Sequence, residues 1–141
     1  AIEGNGMVLT VAGKAARRLD CLYEPFVFSG DDPVECQLID GPIRDFNLMV
    51  DRAALTSRTT IQTAGDAHRR LSLSGETAII HCLAGTFCVC PAPGAGLARL
   101  AAGDTLIVEA IQSDNAEFWT DDGRSVAAVM ELAARNGGAN H

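Results

Sequence analysis

TAIIHCLAGTFCVC, residues 77–90, decides how the rest of the chain is read. Thr77 to Leu83 is a short apolar run that suits a strand, Ala84-Gly85 is a tight turn, and Thr86 to Cys90 returns as a second strand. The same rhythm extends in both directions. Upstream, Met7 to Ala12 follows the Gly4-Asn5-Gly6 turn, and Asn-Gly is a strong hairpin signal. Arg18 to Tyr23 is a further strand, and Val34 to Ile39 alternates Val34, Cys36 and Leu38 against Glu35, Gln37 and Ile39. Between them PFVFSGDDPV, residues 25–34, has prolines towards both ends and a Gly-Asp-Asp turn inside. RTTIQT, residues 58–63, is β-branched, and Leu71 and Leu73 alternate with serines. Downstream lie the PAPGAG loop at 91–96, the Gly103-Asp104 turn, and strands at Thr105 to Ala110 and Glu117 to Thr120. Val126 to Leu132 is the last apolar run. Its alanines favour helix, but the preceding Gly123 and β-branched residues favour strand, which is the reading adopted. The tail NGGANH is expected to fray. Short strands spaced about 8–12 residues apart predict an all-β sandwich or barrel. No βαβ unit and no phosphate-binding glycine loop is seen.

Composition narrows the function classes. A chain of 141 residues that is 48% hydrophobic, with mean hydropathy +0.13, is long enough to bury a core. A net charge of -7 and a single lysine, Lys14, argue against a nucleic-acid surface. Arg17-Arg18 and Arg69-Arg70 read as solvated turns. No apolar run approaches the roughly 20 residues of a membrane span. Ala1-Ile2-Glu3-Gly4 has neither the basic region nor the apolar core of a signal peptide. Five cysteines without a C-x-x-C pair predict free thiols in a reducing cytoplasm. Cys88-Val89-Cys90 puts two sulfurs on one strand face; buried thiols acting as small hydrophobes are preferred to a metal site.

GPIRDFNLMVDR, residues 41–52, raises the question of a site. Phe46, Leu48 and Val50 share one parity; Asp45, Asn47, Met49 and Asp51 share the other, with Arg44 and Arg52 at the ends. Alternation alone predicts a strand with one solvated face. A pocket wall is the sharper reading: an acceptor, an amide and a soft apolar side chain, beside a guanidinium able to clamp a carboxylate. For Arg52 a structural tie to Asp45 or Asp51 is preferred.

Two segments resemble known proteins. HCLAGTFCV and LAAGDTLIV, residues 81–89 and 100–108, are similar to the β-hairpin and Gly-Asp turn of a cupin barrel. PFVFSGDDPVECQLIDGPIRDFNLMVDR, residues 25–52, resembles the signature of the HutD/Ves family. The resemblance implies an all-β, cupin-like (RmlC-like) fold built as a bicupin, with residues 1–55 as the C-terminal part of an incomplete first half and 56–141 as the second half. Family members carry a further N-terminal segment, so a fragment, or a companion chain supplying that segment, is expected.

The cupin metal pattern does not fit. One register matches Gly75 and His81 but puts Leu83 and Phe87 or Cys88 in the next ligand places. Another puts Ser72, Ser74 and Ala78 there, and the second motif falls on Glu109, Ile111 and Asp114. His68 lies in a loop, His81 is expected to be a hydrogen-bonded core residue, and His141 is terminal. No metal or other cofactor is expected, and no G-x-S-x-G elbow or spaced Cys–His pair proposes a catalytic residue. The resemblance therefore implies a non-catalytic accessory or regulatory protein of bacterial histidine utilisation. It would bind a small anionic metabolite, urocanate or a formylated glutamate, through Arg44, Asp45, Asn47 and Met49. The alternatives are a divergent cupin enzyme with ligands from the N-terminal segment, and a structural protein forming a homodimer.

Overall fold

The computed structural model describes residues 1–111 and 114–136, and among these every regular element is a strand. The chain divides into two compact units, Ala1–Met49 and Val50–His141.

In the first unit β1 (Met7–Val11) is the centre of a three-stranded antiparallel sheet, flanked by β2 (Arg17–Leu19) and β3 (Val34–Leu38). Met7, Leu9 and Val11 alternate into the buried side, as period-two patterning requires. Leu19 joins Met7 and Leu9, with Phe26 and Ile43 packed against them. β3 pairs along its whole length with β1 yet exposes all five residues. Asn5-Gly6 does not make a local hairpin, because β1 pairs with β2 and β3. Gly6 is needed for another reason: at φ +89° a Cβ there would lie 2.2 Å from the Leu19 carbonyl oxygen.

The second unit holds two four-stranded antiparallel sheets. One contains β4 (Leu55–Ala64), β11 (Ser125–Ala134), β6 (Thr77–Ala84) and β9 (Thr105–Glu109), in that order. The other contains β5 (Arg69–Leu71), β10 (Ala116–Trp119), β7 (Thr86–Cys90) and β8 (Ala98–Ala101). Ala78, Ile80, Cys82, Ala127 and Val129 from the first sheet meet Leu71, Phe87, Val89, Leu100 and Phe118 from the second in one core. The Phe87 and Phe118 rings stack with centroids 5.3 Å apart. Full burial of each such side chain contributes about 1.5–3 kcal/mol. The architecture is all-β, as expected, with every sheet antiparallel.

The opening stretch is two strands, but not a hairpin. β6 and β7 sit in different sheets, and the chain passes from one to the other at Gly85. The hairpin is β7 with β8, closed by the proline- and glycine-rich loop after Cys90. Gly103-Asp104 is a second passage between sheets, tied by Gly103 N–H to the Cys82 carbonyl (2.8 Å) and Cys82 N–H to the Asp104 carbonyl (3.0 Å). β11 is a strand, buried continuously from Ser125 to Glu131 because it is central in its sheet and closed on both faces. The segment 45–51 is irregular, contrary to the expected strand; only Arg44 pairs, in an isolated antiparallel bridge with Glu3. Its alternation has no neighbouring ladder to complete it. Of the tail expected to fray, residues 137–141 lie outside the described residues.

At Gly85, φ is +70° and an added Cβ would sit 2.5 Å from the Arg124 carbonyl oxygen. Gly123 also has positive φ, but nothing lies within 4 Å. Gly85→Ala is therefore expected to lower stability by more than the ~1 kcal/mol expected for Gly123→Ala. Urea or thermal unfolding of the two variants checks the order; equal losses would show that the close approach is unimportant.

Candidate functional site

The residues expected to line a pocket lie on the surface of the first unit. Arg44 is held through its backbone: its carbonyl accepts from Ile2 N–H (2.7 Å) and Glu3 N–H (3.2 Å), and its N–H donates to the Glu3 carbonyl (3.2 Å). Its guanidinium also meets the Glu3 carboxylate, Nε to Oε2 at 3.4 Å. Asn47 Nδ2 donates to Asp45 Oδ2 at 2.9 Å. Met49 is 87% exposed. The four residues form an exposed polar strip with a fixed arginine, not an enclosed wall.

A cleft of about 220 Å³ opens in the second unit, lined by Arg58, Ser74, Gly75, Glu131 and Leu132 among others. Glu131 is the one charged residue of β11 and only 7% exposed. Its Oε1 accepts from the Ser74 backbone N–H and, at 2.9 Å, from the Ser74 hydroxyl. Its Oε2 faces Arg58 Nε at 4.0 Å. Ladder register places Arg58 and Ala78 opposite Glu131 on either side. Sequence reading passed over Glu131; the available signal was an acid inside an otherwise apolar strand.

His81 is half-buried on the face of its sheet opposite the core, not in the core. Its Nδ1 lies 2.8 Å from Thr105 Oγ1. Burial lowers its pKa from the ordinary value, and the Asp104 carboxylate partly opposes this. His68 stacks on Trp119 with centroids 3.9 Å apart and faces Glu117 Oε2 at 3.6 Å. Cys88 is buried, with its Sγ 3.7 Å from Asp121 Oδ2, and Asp121 pairs with Arg99. Burial raises the Cys82 and Cys88 thiols, and Asp121 raises Cys88 further. Among the described residues no three His, Cys, Asp or Glu side chains gather to hold a metal, and no helix is long and apolar enough to cross a membrane.

The profile of the HutD family matches residues 1–127. HutD from Pseudomonas fluorescens SBW25, solved in a formate condition, superposes with a TM-score of 0.74 at 32% identity, covering 95% of this chain and 65% of that one. A conserved protein of unknown function from Pseudomonas aeruginosa PAO1 superposes with a TM-score of 0.81 at 27% identity, covering 94% and 69%. An uncharacterized 21.2 kDa protein in the hutC 3′ region of Pseudomonas putida is 37% identical over 90 residues, 53% of this chain and 47% of that protein. The chain spans about half the length of that curated relative.

Two outcomes test the local chemistry. His81 has a depressed folded-state pKa, so its contribution to stability is present above the unfolded value of 6.5 and is lost as pH falls through the folded value. Denaturant titrations at pH 7.5 and below 6 are expected to show this loss, and His81→Gln to reduce it. Iodoacetamide at neutral pH is expected to modify the exposed Cys21 and Cys36 in the folded protein, and Cys82 and Cys88 only after unfolding. Peptide mapping reads the order; early labelling of Cys88 would contradict its burial.

Proposed function

The chain belongs to the HutD family, and from that premise we propose that it is a non-catalytic, metal-free binder of a small anionic metabolite with an accessory or regulatory place in bacterial histidine utilisation. The hutC-region location of the Pseudomonas putida relative supports the pathway. The fixation of Arg44 carries the binding reading. Backbone pairing with Glu3 and the ion pair to its carboxylate hold the guanidinium at the surface. A guanidinium has five N–H donors, so two contacts to Glu3 leave a fork for a ligand carboxylate. Pre-positioning lowers the entropy cost of binding. Asn47, aligned by Asp45, supplies amide groups, and Met49 an exposed apolar surface. Urocanate and formylated glutamate both present the carboxylate this strip would take.

A thermal-shift screen with urocanate, formylglutamate, formiminoglutamate and histidine, with and without chelator, tests the reading. Saturation at a hundred times Kd stabilises by about 2.7 kcal/mol. A chelator-insensitive shift with one carboxylate is expected, weakened by Arg44→Ala and Asn47→Ala. Losing a hydrogen bond to a charged group costs about 1.5–3 kcal/mol, or roughly 10- to 150-fold in affinity. Undiminished binding by both variants would remove the strip from the site. A shift abolished by chelator would favour a metalloenzyme.

A further inference from the structure

We propose that the open edge of β3 is a self-association surface, at which two copies of this chain pair β3 antiparallel about a twofold axis through Cys36. The pairing does not depend on the Arg44 strip.

The edge is open and unguarded. β3 is an outer strand of its sheet, and among the described residues no other strand pairs with its far side. All five of its residues are exposed. Exposed strand edges are ordinarily blunted by shortness, charge, proline or a bulge. The opposite edge of the same sheet follows that rule, since β2 is three residues long and carries Arg17 and Arg18. β3 is five residues long, pairs with β1 in unbroken register and has one charge, Glu35.

The register fixes which backbone groups face outwards. Ala12 N–H donates to the Pro33 carbonyl (2.9 Å), and Ile39 N–H donates to the Gly6 carbonyl (3.1 Å). Hydrogen-bonded and non-hydrogen-bonded pairs alternate along an antiparallel ladder. Glu35 and Gln37 therefore turn their N–H and C=O groups to β1, and Val34, Cys36 and Leu38 turn theirs to the open edge. The same three side chains lie opposite Val11, Leu9 and Met7, so they carry the apolar side of β1 out to solvent. Cys36 Sγ sits 3.6 Å from Met7 Sδ, and Leu38 is 54% exposed. Among the described residues, seven of the nine exposed large apolar side chains belong to residues 1–49, so uncovered apolar surface is concentrated in this unit.

A second copy is favoured because VECQL is complementary to itself. Rotation about Cys36 sets Val34 against Leu38 of the other copy, Cys36 against Cys36, and Glu35 against Gln37. Each copy then satisfies the outward N–H and C=O groups of the other. Apolar residues meet on one face, and on the other no two acids are opposed. The last point matters for a chain of net charge -7, whose copies repel at long range. The product is one six-stranded sheet in the order β2-β1-β3-β3-β1-β2.

A contact this small makes a weak dimer, so the test compares concentrations. Residue-resolved amide exchange by NMR at about 50 µM and about 1 mM, with sedimentation over the same range, reads the pairing. In dilute protein the Cys36 and Leu38 amides are expected to exchange freely while Glu35 and Gln37 are protected. In concentrated protein all four are expected to slow as dimer replaces monomer. Gln37→Glu, which faces Glu35 of the other copy twice over, is expected to weaken the dimer about 2- to 30-fold, and Gln37→Lys to strengthen it by a similar factor. Cys36→Lys, which meets itself on the axis, is expected to abolish the dimer and leave the circular dichroism unchanged. A chain that sediments as a monomer at the highest concentration overturns the proposal. So does a dimer indifferent to both Gln37→Glu and Cys36→Lys. Cys36 and Leu38 amides protected at every dilution would also overturn it, because another segment of chain would then already cover the edge.

Discussion

The second unit is organised by the passage of its chain at Gly85. There the backbone leaves one sheet and enters the other so close to the Arg124 carbonyl that no side chain fits. That passage turns one continuous stretch into two facing layers. It sets Phe87 and Val89 into the same core as Ile80 and Cys82, residues only a few positions earlier in the chain. The hydrogen bonds between Cys82 and the Gly103-Asp104 turn repeat the device at a second point. Thr120 closes the corner, its hydroxyl 2.8 Å from the Thr86 carbonyl. The core is therefore as much a product of tight turns as of apolar side chains.

Local patterning made most strands legible. β1, β6, β9 and β11 are short apolar or alternating runs bounded by glycine, and such runs have few other uses. Pairing was less legible, because it depends on residues far apart. Ala84-Gly85 looks like a hairpin turn and is a crossing between layers; the hairpin is one strand later. Residues 41–52 have the alternation of a strand, but the β-pairing there is a single isolated bridge, between Arg44 and Glu3. β3 shows the reverse: it is fully paired along β1 while all its side chains are exposed.

The polar groups follow the same division. The family resemblance singled out Arg44, Asp45 and Asn47; Asn47 meets Asp45 two residues away, whereas Arg44 meets Glu3 across 41 residues. Glu131 and Ser74 stand 57 residues apart, and no spacing rule brings an acid in a late strand to a serine before an earlier one. The arrangement arises only once β4, β6 and β11 are laid side by side. Apolar burial can be read from periodicity, whereas a buried charge is explained only by its partners.

The ladder between β4 and β11 has a consequence for the order of events during synthesis. Leu55 pairs with Ala134, and the register runs through ten pairs to Ala64 with Ser125. A ribosome supplies residues one at a time from the N-terminal side, so β4 is complete long before its partner exists. Until then β4 is a solvent-facing ribbon of threonines, and β6 lacks its neighbour on that flank. The β4–β11 ladder closes only across an intervening stretch of sixty residues, so this sheet is completed after β11 leaves the exit tunnel, a late and non-local step.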